Sequence, residues 1–177
     1  MTVCCTAEMP IVPGGASLPA RSDVVLFEYA PILAAALQPY ALVEVVLSTS
    51  WVKAIGYRRA RNRLPLSELR ARVVGSTFHS HFRDASAWHD IPRGTQIFRY
   101  VAGHSLVRWL AIDDRYDGFD SSVRDHLVLC DEKRGLGGPA AQQALREALA
   151  WQFGEHQPRL ALTSEAVADS RMPLAFI

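Results

Sequence analysis

"VRWLAIDD", residues 107–114, decides how the chain folds. Its first six residues are apolar except Arg108, as in a strand covered on both faces, and they run straight into two adjacent acids, Asp113 and Asp114. Two carboxylates about 4 Å apart, at an effective dielectric near ~20, repel by roughly 4 kcal/mol. A bound cation would offset that repulsion, and so would open solvent.

A second run, "VEVVLS" (43–48), is also nearly continuously apolar and ends in Ser48, Thr49 and Ser50. Shorter runs, "VVG" (73–75) and "HLVLC" (126–130), read as further strands. Helical patterns separate them. Leu26, Phe27, Ala30, Leu33, Ala34 and Leu37 fall on one helix face that Pro39 ends, "TSWVKAIGYRRARNRL" turns helical, and "PLSELRAR" follows Pro65. "RGTQIFRYVAGH" places Ile97, Tyr100 and Val101 on one side, and residues 139–153 form an amphipathic helix after the "GLGGP" turn. Strands alternating with helices predict an α/β sandwich around a mostly parallel sheet. Ligands of such sheets collect beyond the carboxyl ends of the strands. Two of those ends carry chemistry: Ser48 with Thr49, and Asp113 with Asp114.

The bulk numbers restrict the rest. A chain of 177 residues, 49% hydrophobic and 21% charged, can bury one real core. Its net charge of +1 predicts neither a general nucleic-acid surface nor a membrane surface. Arginine greatly outnumbers lysine among the 19 basic residues, which fits phosphate recognition and fits a GC-rich genome equally. Cys4, Cys5 and Cys130 make neither a disulfide framework nor a zinc knuckle, so a reducing cytoplasm is expected. No apolar run approaches the ~20 residues of a membrane span, and the amino terminus is a poor signal peptide. The expected organisation is a single domain over 1–154, with an atypical segment at 1–23, followed by a tail at 155–177 that has an apolar end, "PLAFI".

A hydroxyl and exposed amides at one strand end can hold a phosphate oxygen. Acids at another can hold Mg²⁺, which takes a few carboxylates and keeps its waters. Arg93, at the start of the helix feeding the acidic strand, can cover the remaining phosphate charge. Taken in order, "VVLSTSW", "LRARVVGSTFH" and "WLAIDD" resemble the haloacid dehalogenase-like (HAD) superfamily. They resemble more closely the group described as the HAD domain of Swiss-army-knife RNA-repair proteins. The similarity runs from Leu26 to the helix ending near Phe153.

The resemblance implies a three-layer Rossmann-like sandwich and Mg²⁺-dependent phosphatase chemistry. By position, Ser48, with Thr49 beside it, matches the second-motif hydroxyl that binds phosphate. Asp113 and Asp114 match the metal-binding acids of the fourth motif. Arg93 matches the third-motif cation, where the family usually has lysine. The implied partners are a phosphorylated small molecule or a nucleic-acid end.

One part is missing. The family's first strand ends in Asp-x-Asp-Gly, whose first Asp attacks phosphorus and whose second acts as general acid and base. This sequence contains no Asp-x-Asp. One placement takes "TVCCTAEMPIV" as the first strand, with Thr6 in place of the nucleophile, Glu8 of the acid and Met9 of the glycine. Another takes "VVLFEYA", with Glu28 as nucleophile, but its spacing is helical and it leaves no room for a helix before the second motif. In a third, the residues before Val24 are not the ancestral start. The family's first strand is central, and an empty slot would expose two strand edges, so "TVCCTA" is expected to fill it.

Other groups read as structure. His79, His81 and His89 make a poor zinc set without a cysteine or Glu-x-x-His nearby. Trp51 and Trp88 read as core or lid packing rather than base stacking. "GLGG" (135–138) lacks the phosphate-loop lysine, and Arg58, Arg59, Arg61 and Arg63 read as a wet basic helix face. The expected function is a HAD-like phosphatase-type domain with little or no activity. The alternatives are an active Mg²⁺-dependent phosphomonoesterase, acting for example on nucleic-acid ends, and a non-catalytic nucleotide-binding or protein-interaction module.

Overall fold

The structure is a computed structural model and describes residues 27–81, 85–154 and 174–176. It is a mixed α/β fold around a five-stranded sheet. The strands are β1 (Glu44–Leu47), β2 (Val73–Ser76), β3 (Trp109–Asp113), β4 (Leu127–Leu129) and β5 (Leu174–Phe176), in the order β2-β1-β5-β3-β4. Every neighbouring pair is parallel, so all five carboxyl ends lie along one edge.

The helices are α1 (Ala30–Leu37), α2 (Ser50–Ile55), α3 (Tyr57–Arg63), α4 (Ser67–Arg72), α5 (Arg93–Gly103) and α6 (Pro139–Phe153). The "TSWVKAIGYRRARNRL" stretch becomes two helices because Gly56, at φ +84°, takes a backbone conformation that L side chains avoid and turns the chain between them.

Alternation along β1 and β3 sorts the core into two apolar groups. Val45, Leu47, Leu110 and Ile112 pack with Leu33, Leu37, Leu69, Leu145 and Leu149 from α1, α4 and α6. Val46, Trp109 and Ala111 pack with Ile97 of α5, and Phe98 and Tyr100 lie against them. Both faces of the two flanking strands are therefore dry, which is why their sequences read as continuous apolar runs. Arg72 ties the α1–β1 connection down by donating to the carbonyls of Leu37, Tyr40 and Val43 at 3.2, 2.8 and 2.9 Å.

The central position is a correction. Residues 2–7 are its expected occupants, but β5 holds it, with Ala175 opposite both Val45 and Leu110. Residues 174–176, from the stretch expected to be a tail, thus supply the middle of the sheet; residues 2–7 lie outside the described residues. The physical demand is the same for either occupant, since parallel strands on either side cannot be left with open edges. What sequence cannot give is the occupant. "LAF" and "TVCCTA" are both short apolar runs, and pairing on two sides suits either one. Among the described residues no helix is long and apolar enough to cross a membrane.

Candidate functional site

The sheet register brings two strand ends to the same level. Phe176 lies opposite Val46 and Ala111, two residues before Ser48 and Asp113 respectively. The two strands are separated only by β5, so their ends stand roughly 10 Å apart. β2 adds a third group: Leu47 is opposite Ser76, and Thr77 follows with its amide on the Leu47 carbonyl at 2.9 Å.

Arg93 closes the gap. Its guanidinium donates to the backbone carbonyl of Ser48, lies 3.4 Å from Ser48 Oγ, and places Nε 3.5 Å from Asp113 Oδ2. Gln96, one turn further along α5, accepts from Arg93 at 3.3 Å. Gln96 is itself fixed by donating to the carbonyls of Trp88 and Ile91 at 3.0 and 2.8 Å. Thr77 Oγ1 donates to Ser48 Oγ at 3.4 Å. Ser48, Thr77, Gln96 and Asp113 are all buried.

Glycine makes this approach possible. The loop after Asp114 lies against the first turn of α5, where Gly94 donates to the Asp117 carbonyl at 3.0 Å. A Cβ on Gly94 would stand 2.2 Å from the Gly118 carbonyl carbon, which backbone cannot yield. Only a residue without a side chain lets the start of α5, and with it Arg93, reach the end of β3.

Electrostatics follow from burial. The Asp113 carboxyl is pushed up from its ordinary 3.8 to about 6, chiefly by desolvation. The Arg93 charge and the Arg115 amide at 3.0 Å oppose that shift, and Asp114 adds to it. Burial pulls the Arg93 guanidinium down, and the carboxylates of Asp113, Asp114 and Asp117 hold it up. Among the described residues, the cation facing the acidic strand end is the Arg93 guanidinium.

The structure brings together Ser48, Arg93 and Asp113 from the set expected by sequence, with Asp114 half-buried beside them. Thr49 spends its hydroxyl as the cap of α2, accepting from the Trp51 amide at 3.3 Å. Thr6 and Glu8 lie outside the described residues. Thr77, Gln96 and Gly94 were missed. Of these only Thr77, following a strand, carried a signal of the kind used for Ser48.

Trp88 is buried and packs edge-on against Phe78 at 5.6 Å, and Trp51 packs on Phe27 at 5.5 Å. Among the described residues no group of three His, Cys, Asp or Glu gathers. The described acids that could hold Mg²⁺ at this strand end are Asp113, already faced by a guanidinium, and the half-buried Asp114.

Residues 3–141 match the family described as "HAD domain in Swiss Army Knife RNA repair proteins". The chain belongs to this family. Comparison with curated proteins and with solved structures gives no match. The matched stretch includes β1, β2, β3 and β4 with Ser48, Arg93 and Asp113, and it ends before β5. The strand-end cluster lies within the matched stretch, but the central strand of the sheet comes from outside it.

Proposed function

We propose that this HAD-like domain is a phosphate-binding module of phosphatase ancestry that turns over substrate weakly or not at all. The observation that carries the reading is the single guanidinium of Arg93 bridging Ser48 and Asp113 at adjoining strand ends. A tetrahedral oxyanion entering there would meet the Arg93 fork and the hydroxyls of Ser48 and Thr77. Asp113 would act as the counter-ion that orients Arg93. Two dry faces on the flanking strands support the three-layer, Rossmann-like reading of the scaffold.

Turnover needs an attacking group. The sequence has no Asp-x-Asp, and the described central strand offers Leu174, Ala175 and Phe176. Thr6, in the nucleophile's place, cannot supply the acyl-phosphate step, because a threonine hydroxyl does not form a mixed anhydride, and Glu8 stands in the place of the acid and base. Losing a nucleophile costs several orders of magnitude in rate. The family's association with RNA repair makes a nucleic-acid end the first phosphate-bearing partner to try.

Two measurements test the reading. Orthophosphate should raise the melting temperature of wild-type protein and leave that of Arg93→Ala unmoved. An aryl phosphate with Mg²⁺ should be hydrolysed at background. Robust turnover that disappears in Asp113→Ala would instead establish an active Mg²⁺-dependent phosphomonoesterase.

A further inference from the structure

Charge is divided unevenly along this chain. Residues 50–72, which hold α2, α3 and α4, carry seven basic residues and one acid, Glu68, for a net +6 in a chain whose total is +1. Four of the seven are committed to the fold. Lys53 donates to the Ser86 carbonyl, Arg61 to that of Arg70, Arg70 to that of Leu64 and Arg72 to that of Tyr40, at 3.0, 2.7, 2.6 and 2.8 Å. Arg58, Arg59 and Arg63 are exposed and make no hydrogen bond or ion pair among the described residues.

Three unpartnered guanidiniums within six residues repel one another, and nothing on their own helix offsets this. The sequence "YRRARNR" of α3 contains no acid. Two of them frame a concavity. Arg59 and Arg63 sit one helical turn apart, roughly 6 Å along the axis, and line a pocket of about 380 Å³ together with Ile55 and Asn62. That size lies within the range of small ligand sites. The lining combines two cations, an amide with both donor and acceptor, and one apolar side chain.

We propose that this face binds single-stranded RNA, with backbone phosphates on Arg59 and Arg63 and a base in the concavity against Ile55 and Asn62. A single strand fits because its bases are free to leave the stack and enter a pocket, whereas a duplex presents mainly phosphates and sugar edges. The placement suits the strand-end site. α2 starts two residues after Ser48 and is six residues long, so Ile55 lies on the order of 10 Å further on. A strand held on α3 would thus lie within reach of Ser48 and Arg93. A role for that proximity rests on the phosphate-binding reading above, but the binding surface itself does not.

The test uses a short fluorescein-labelled single-stranded RNA carrying no terminal phosphate, so that only the α3 face is read. Full-length protein should bind it at low salt and lose affinity as salt rises. R59E/R63E should weaken binding by about tenfold or more, and R59Q/R63Q should reduce the salt slope by roughly 1.4, the single-strand value for two phosphates. The charge-matched R124E/R146E, on exposed positions elsewhere, should bind as wild type does. An equal loss in that control, or no salt-dependent binding by wild type, would overturn the proposal. So would R59E/R63E losing affinity for phosphatidylserine vesicles while keeping it for RNA, since the face would then belong to a membrane. Orthophosphate stabilisation reads the strand-end site alone, so either site can fail without the other.

Discussion

Arg93 and the pair Arg59/Arg63 are the same chemical group put to opposite uses. Arg93 is mostly buried, and each of its contacts is intramolecular: Ser48, Gln96 and Asp113. Arg59 and Arg63 are exposed and contact no acid or carbonyl among the described residues. A buried charge must carry its counter-ion with it, because desolvation leaves no alternative. An exposed one stays solvated at little cost and is available to an outside anion. The difference therefore separates a preorganised site, whose geometry the fold sets, from a surface whose partner is set by diffusion and salt.

The buried half of this contrast depends on the sheet that carries it. The largest expected effect is therefore on β5. Ala175→Pro removes a ladder donor between β1 and β3 and forces a ring into a central strand, a change that costs about 3 kcal/mol or more. Loss of the cooperative transition in urea is expected. A variant that melts as wild type does would mean that β5 is dispensable and that another segment holds the central slot.

Next is Gly94→Ala. The new Cβ would collide with the backbone of Gly118, so α5 and the 115–119 loop must separate. A loss of about 1–3 kcal/mol is expected, as for overpacked core sites, together with weaker orthophosphate binding because Arg93 moves with α5. Unchanged stability with unchanged phosphate binding would show that the close approach is unnecessary.

The contrast itself is tested by paired truncations. Arg93→Ala leaves Asp113 buried without its cation and should cost about 3 kcal/mol near neutral pH. Arg63→Ala, at an exposed position with no partner, should stay within about 0.5 kcal/mol. Equal losses in urea unfolding would erase the distinction.

Legibility from sequence followed the same divide. β1, β3 and α6 were readable because continuous apolar runs and a clean amphipathic pattern are local signals. Parallel pairing then placed Ser48 and Asp113 on one edge, so half of the strand-end cluster followed from strand ends alone. Gln96 and Gly94 were not readable, since their roles exist only once α5 packs against the loop after Asp114. β5 was read as an apolar tail end because three residues carry no periodicity, and its place is set by the two strands that it joins. The arginines of α3 were visible as a cluster, but their lack of partners was not. Four neighbouring bases turned out to be tied to carbonyls by tertiary structure, and only the folded chain tells the two sets apart.

The smallest expected effect comes from the proton on Asp113. Its folded pKa is raised from 3.8 to about 6 by burial, so the folded chain holds this proton over a range in which the unfolded chain has released it. Stability contributed by this group should therefore fall as pH rises from about 4 to about 6, and be level above about 7. The upper limit of the change is about 3 kcal/mol for a shift of roughly two units. The quantity to measure is the difference between wild type and Asp113→Asn, in urea, at pH 5 and pH 7.5, because contributions common to both proteins cancel. Wild type should gain more on acidification than the variant does. Protonation also removes the internal partner of Arg93. Sulfate, whose charge is constant over this range, should then bind wild type more tightly at pH 5 than at pH 7.5, while binding to Asp113→Asn stays nearly flat. Equal pH slopes in the two proteins would mean that Asp113 remains ionised in the fold, and that Arg93 is held too firmly by its own carboxylate to serve an incoming phosphate.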